Sequence, residues 1–334
     1  MNVRAVAGVP PQTSPTDVYA HVAPWLEKVE QALIEQLDGD DPALVEIFRY
    51  GCLLGGKRLR PALALLSGSA CGAVTQAHVT VATVLEMVHT ATLVHDDVLD
   101  AATLRRHVPT VNAQWDSATS ILLGDWLFSK AYALAATLGS TDACRMIGVA
   151  ATDVCQGEMR QLLSAGDLEL DEATYFRCIR GKTAALCRVS CELGAHLAAA
   201  PVTWSEALGR YGEHLGVAFQ IVDDYLDIWG APEHVGKSLG SDIGQAKLTL
   251  PLIRLRDQLP ASGRDELNRI LQGPSKDRIR RLEPLLLDSD AQLYTRDVAT
   301  RTIRQAISEL LPLPESEAKQ TLERIAEFCV QRQH

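Results

Sequence analysis

The chain has 334 residues, 47% of them hydrophobic, enough to bury a large core. Its formal net charge of −10 argues against nucleic acid as a partner and against a basic face docked on a membrane. No run approaches about 18 consecutive apolar residues, so no membrane-spanning helix is expected.

The first stretch, MNVRAVAGVPPQTSPTD, carries a single arginine, two proline clusters and no apolar core of signal-peptide length. Residues 1–15 are therefore expected to form a disordered tail ahead of one domain covering 16–334. Apolar residues then recur at three- and four-residue steps over 18–37, 77–99, 117–138, 145–163, 171–200 and 205–229, the period of helices. Gly39-Asp40-Asp41-Pro42, Pro109, Gly139-Ser140-Thr141-Asp142, Pro201 and Gly230-Ala231-Pro232 separate these runs. Thr141 or Asp142, Asp171 and Thr203 stand where N-caps belong. Shorter amphipathic helices follow Pro251, and no alternating strand pattern of useful length occurs. The fold class is all-α, a large bundle whose long helices are apolar around much of their circumference. The polar, glycine-rich stretch 230–247 is long for a connection inside a compact domain, and such loops usually carry function. Eight cysteines are scattered without a CxxC pair, the pattern of small buried hydrophobes in a reducing compartment, so the cytoplasm is the expected location.

Two segments break the apolar logic. LVHDDVLD at 93–100 and FQIVDDYLDIW at 219–229 each set a DDxxD among residues that want burial. On a helix, positions i and i+4 share a face and i+1 flanks it. Asp96, Asp97 and Asp100 therefore project from one patch, and Asp223, Asp224 and Asp227 from another. Two like charges ~4 Å apart repel by about 4 kcal/mol at an effective dielectric of 20, so facing patches call for hard cations. Oxygen-only donors favour Mg²⁺ or Mn²⁺ over zinc or copper, and Mg²⁺ is typically held by one or two carboxylates plus substrate phosphates. The constellation points to a phosphorylated or diphosphorylated ligand. A single DDxxD reads equally well as a solvated acidic face; two copies in apolar settings do not.

Basic residues gather in the same regions of this acidic chain: Gly55-Gly56-Lys57-Arg58-Leu59-Arg60-Pro61, Arg105-Arg106, Lys182, Lys237 and Lys247. Arginine offers phosphate a bidentate fork and lysine a point charge. Three competing signatures fail. Gly236-Lys237-Ser238 ends like a phosphate loop, but Gly230 is one residue too distant for GxxxxGK[ST] and a helical pattern precedes it. Glu86-Met87-Val88-His89 is the ExxH of di-iron bundles, which need two such pairs where this chain has one. No local signature marks a serine or cysteine nucleophile.

The order GGKRLRP, HTATLVHDDVLD, RR-x-x-PTVN, LLGDWL, QGE, GKTAAL, FQIVDDYLD and GKSLGSDIGQAKLTLPL, over residues 50–253, resembles the trans-polyprenyl diphosphate synthases of the medium- and long-chain, octaprenyl type. The resemblance implies a bundle of the isoprenoid synthase type with the active-site cavity in its core, and a homodimer. It also implies elongation of an allylic diphosphate by isopentenyl diphosphate units with Mg²⁺, through ionisation, condensation and elimination, to a lipophilic product. On that resemblance Asp96, Asp100, Asp223 and Asp227 bind the metal, with Asp97, Asp224 and Lys182 completing the catalytic set. Arg105, Lys182, Thr183, Gln220, Lys237 and Lys247 contact the allylic diphosphate, and Lys57, Arg60, His89 and Arg106 the isopentenyl diphosphate. His89, read from the residues alone, is a core histidine two turns ahead of Asp96.

The resemblance also places residues ahead of the first acidic motif along the growing product. Val88, Ala91 and Thr92 are small or medium-sized there, which implies a product longer than four isoprene units, as in quinone side chains. The plainer reading makes them helix-packing positions. Shorter-chain synthases making geranylgeranyl or farnesyl diphosphate, a non-catalytic subunit of a heteromeric synthase and a terpene cyclase are the rival readings. The last two fit poorly, because both acidic motifs and the GGKRLRP cluster are intact. His107 and Ala246 stand where the family commonly has glycine, and either is strained if its φ is positive.

Overall fold

Helices form where the apolar period predicts them, and the breakers fall between them. The computed structural model describes residues 19–52, 56–230 and 240–331; the tail expected at 1–15 lies outside them. After a short 3₁₀ turn, α1 (Ala23–Gln36), α2 (Pro42–Cys52), α3 (Leu59–Cys71) and α4 (Gln76–Leu99) follow in order. A two-residue ladder pairs β1 (Leu104–Arg105) with β2 (Val108–Pro109). Next come α5 (Val111–Gln114), α6 (Ser117–Ala136), α7 (Thr141–Leu163) and α8 (Glu172–Ile179). A π turn (Arg180–Ala184) leads into α9 (Ala185–Leu197) and α10 (Val202–Trp229). The chain ends with α11 (Ser241–Gly244), α12 (Leu250–Gln258), α13 (Ala261–Gln272), α14 (Ser275–Leu287), α15 (Ala291–Glu309) and α16 (Glu317–Gln331).

The caps explain several starts. Asp116 and Asp171 each accept the backbone N–H three residues on at 2.7 Å. The cap of α7 is Ser140, whose hydroxyl accepts from Ala143 N–H, one residue before the expected Thr141 or Asp142. Helix α10 starts at Val202, ahead of Thr203, because Pro201 (φ −52°, ψ 143°) is itself the last extended residue.

Neighbouring helices line up as α6, α4, α3, α9, α10 and α15, each packed along the next. Helix α3 is buried on every side from Pro61 to Gly68, as an interior helix must be. Helix α4 is long and apolar enough to cross a membrane by length and composition alone. It is nonetheless a core element, with 67% of its most apolar window buried in the bundle. The two acidic motifs fall at the C-terminal ends of α4 and α10, so packing through α3 and α9 brings both to one end of the bundle.

Candidate active site

The middle aspartate of each motif is buried, and in the second motif the outer Asp227 is buried as well. Asp97 is 5% exposed, and Arg105 grips it through Nε at 3.0 Å to both oxygens and Nη2 at 2.8 Å. Asp224 is 4% exposed; Tyr175 OH donates to its Oδ2 at 2.6 Å and Gln220 Nε2 to its Oδ1 at 2.8 Å. Burial, and then the charge of Asp242, push the Asp224 carboxyl well above the usual carboxylate range. The Thr183 hydroxyl donates to Gln220 Oε1 at 2.9 Å, so Thr183, Gln220, Asp224 and Tyr175 form one chain of hydrogen bonds.

The outer aspartates of the first motif meet lysines. Lys182 Nζ lies 3.7 Å from Asp96 and 2.6 Å from Glu158. Burial raises the Asp96 carboxyl to about 6, with Lys182 opposing the rise. Burial also works against the Lys182 ammonium, but Asp96 and Glu158 outweigh it and its pKa stands above the usual lysine value. Lys247 Nζ stands 3.6 Å from Asp100 and 3.7 Å from Asp242, whose own backbone N–H donates to Asp227 Oδ2 at 3.1 Å. Through Lys247 and Asp242 the two motifs are joined across the cleft. Asp223 is half-buried on the same helix end.

Two motif glycines set this geometry. A Cβ on Gly157 would lie 2.3 Å from the backbone nitrogen of Lys182, and one on Gly181 would lie 2.7 Å from the Asp153 carbonyl. Helix α7 and the π turn thus meet backbone to backbone, which seats Lys182 against Glu158; π turns of this kind recur at functional sites. On the other side, Gly124 leaves room for the His95 ring, which donates to the Ile121 carbonyl at 3.0 Å and ties the end of α4 to α6.

A second cluster lies beside the first motif. Arg58, Glu86, His89, Arg105 and Arg106 line one pocket together with Cys52 and Asp97. Burial, and then the charges of Arg60, Arg105, Arg106 and Arg58, hold the His89 imidazole well below its usual pKa, so it is neutral. Four guanidinium groups bear on this neutral ring, chemistry that suits an anion, while Arg105 is held by Asp97 and Arg58 by Glu30 and Glu86. Arg60 Nε is buried without a hydrogen-bond partner, a donor aimed at an acceptor the protein does not supply. Lys57 is exposed at the rim of the same turn.

The positions read from the sequence are thus largely brought together. Arg105 stands with His89 and Arg106 rather than only with the allylic set. Val88 and Ala91 are fully buried core residues, and the Thr92 hydroxyl is bonded to the His89 carbonyl at 2.7 Å. Lys237 lies outside the described residues. Glu158, Arg58, Glu86, Tyr175 and Asp242 were not assigned roles from the sequence. Glu158, Arg58, Glu86 and Asp242 sit inside quoted motifs, while Tyr175 carries no local signal.

The donor set suits a hard divalent cation. All outer donors are carboxylate oxygens, and the cleft already draws two lysines between them. Among the described residues no three histidine, cysteine or carboxylate side chains close on one point.

The polyprenyl synthetase family profile matches residues 41–285. The octaprenyl diphosphate synthase of Haemophilus influenzae is 34% identical over 315 residues, covering 93% of this chain and 95% of that protein. A decaprenyl diphosphate synthase structure from Rhodobacter capsulatus superimposes with a TM-score of 0.91 at 33% identity, over 96% of this chain and 100% of that one. A polyprenyl synthase from Caulobacter crescentus CB15, solved with calcium and isoprenyl diphosphate, gives a TM-score of 0.91 at 32% identity, over 97% of this chain and 100% of that one.

Proposed function

The chain belongs to the polyprenyl synthetase family, and from that premise we propose that it condenses isopentenyl diphosphate units onto an allylic diphosphate across the cleft between its two DDxxD motifs. It is a trans-prenyltransferase of the long-chain type. The observation that carries the reading is the joining of the two motifs through Lys247 and Asp242, next to a separate pocket of arginines. One transferase needs two diphosphate sites of that kind, and a cyclase with a single substrate does not.

Asp96, Asp100, Asp223 and Asp227 would hold Mg²⁺, and when bound it would supply Lewis-acid stabilisation to the departing diphosphate. Lys182, Lys247 and Thr183 add fixed positive charge and a hydroxyl donor on the same side, lowering the barrier to breaking the allylic C–O bond. Gln220, held at both ends of its amide, keeps that side rigid. Arg60, Arg105, Arg106 and His89 hold isopentenyl diphosphate with its double bond towards the allylic carbon, with Lys57 at the rim. The new C–C bond forms from that double bond, and the proton lost in restoring an alkene goes to the released diphosphate. The apolar core below keeps water from the cation. Lys237 is assigned to the allylic diphosphate with Lys247.

Val88, Ala91 and Thr92 leave the α4 face ahead of the first motif without bulk, which supports a product longer than four isoprene units. Exposed Ile121 and Leu122 on α6, with Met159, Leu162 and Leu163 on α7, support a homodimer packed on that face. The cytoplasmic location rests on the cysteine spacing of the sequence, scattered and without a CxxC pair. The test is incubation of the purified chain with farnesyl diphosphate, isopentenyl diphosphate and Mg²⁺. Dephosphorylated products longer than four isoprene units are expected; products stopping at three or four would overturn the length assignment, and none at all the whole reading.

A further inference from the structure

Glu86 is an acid where an anion site should not want one. It is 5% exposed in the wall of the pocket that Arg58, His89, Arg105 and Arg106 also line, and Asp97, the other acid there, is already gripped by Arg105. A buried carboxylate so placed opposes a diphosphate by simple repulsion. It is tied, however, to a specific partner. Arg58 Nη1 donates to Glu86 Oε1 at 2.7 Å, Nη2 donates to Glu30 Oε2 at 3.0 Å, and Nε donates to Glu30 Oε1. One guanidinium thus bridges α1 and α4. Arg58 is also the residue before α3, held in the left-handed region (φ 47°, ψ 37°) that side chains other than glycine's resist. Its neighbours on that turn are Lys57 and Arg60.

On the reading of this pocket as the isopentenyl diphosphate site, we propose that Arg58 and Glu86 are positioning residues for that substrate. The Glu30–Arg58–Glu86 clamp holds the 56–60 turn against α4 so that Lys57 and Arg60 face the diphosphate beside His89. Three of the five donors of Arg58 are committed to the clamp, and the planar fork is what lets one side chain span two carboxylates. The ExxH spacing of Glu86 and His89 then has a meaning unrelated to iron. One turn of α4 carries both the anchor of the turn and a wall of the pocket.

The sign of one kinetic effect decides the matter. With isopentenyl diphosphate varied and the allylic substrate saturating, Glu86→Gln is expected to raise KM for isopentenyl diphosphate roughly ten- to a hundredfold and leave the allylic KM unchanged. Arg58→Lys should do the same, because an ammonium does not bridge both acids. The double variant should be no worse than either single one, since both remove the same clamp. A lower KM in Glu86→Gln, the result if the carboxylate merely repels the anion, would overturn the proposal. So would effects that add in the double variant. If Glu86→Gln fails to fold by circular dichroism, Glu30→Gln, on the outer α1, carries the test. A several-fold rise in the same KM supports the clamp and an unchanged KM overturns it. If the wild type does not turn over isopentenyl diphosphate, the substrate reading falls, and binding of inorganic pyrophosphate by calorimetry then decides on the clamp. Weaker binding in Glu86→Gln upholds it, and tighter binding overturns it.

Discussion

Tyr175 reaches across 49 residues of sequence to donate a 2.6 Å hydrogen bond to Asp224, the middle acid of the second motif. Both groups are buried, so the bond fixes the carboxylate that in turn fixes Gln220. Tyr175→Phe leaves Asp224 with Gln220 as its remaining side-chain donor. It should cost about 1–3 kcal/mol of stability and lower kcat while retaining helix content. Thermal unfolding and steady-state kinetics check this; an unchanged Tm with unchanged kcat would show that the bond positions nothing.

Two departures from the family pattern turn out to sit on strained backbone. Ala246 has φ 54° and His107 φ 66°, both in the left-handed region. Ala246 precedes Lys247, and His107 shares a tight turn with Arg106 between β1 and β2. Ala246→Gly should relieve the strain and raise stability by about 1 kcal/mol, roughly 2 °C in Tm for a chain of this size. A fall in Tm on thermal denaturation would mean that the alanine makes a packing contact worth more than the strain.

These cases mark what could be read from the residues. The helices were legible because apolar spacing reports burial directly, and the acidic and basic motifs were legible because charged side chains amid apolar neighbours need a reason. Glu30, Arg58 and Glu86 were not legible as a unit, since tertiary packing alone brings 30, 58 and 86 together. The π turn at Arg180–Ala184 was also hidden. Residues 171–200 read as a continuous helix, and only the approach of α7 onto Gly181 forces the extra residue into the turn.

His78 gives a pH dependence with a definite sign. Its Nδ1 accepts from Thr75 N–H at 3.1 Å, and Nε2 donates to the Gly194 carbonyl at 3.0 Å, so the folded protein wants the neutral ring. Burial lowers its pKa, with the Gly194 bond opposing. A depressed folded pKa means that the stability is present above the unfolded value of about 6.5 and is lost as pH falls towards the folded one, at up to about 1.4 kcal/mol per unit. His78→Gln should be less stable at pH 7.5 yet lose less between pH 7 and 5 in denaturant titrations. Parallel pH profiles for the two proteins would rule out His78 as the cause.

Ala91 separates tunnel from packing. The side chain is fully buried on α4, a turn and a half before the first motif. Ala91→Phe should shorten the product by several isoprene units at retained turnover, because an aromatic ring blocks the passage without touching the acids. Product chromatography reads it out. A folded variant with an unchanged product distribution would make Ala91 a packing position only.

The proposed function requires the two acidic motifs to work as one cation-dependent site. The rate of isopentenyl incorporation into butanol-extractable product, measured at saturating Mg²⁺ for the wild type, Asp96→Ala and Asp223→Ala, tests that most directly. Both variants should fall by orders of magnitude with circular dichroism unchanged, since each loses a proposed metal donor and both side chains are half-buried at helix ends, outside the packed core. Turnover near the wild-type rate in either variant would contradict the account.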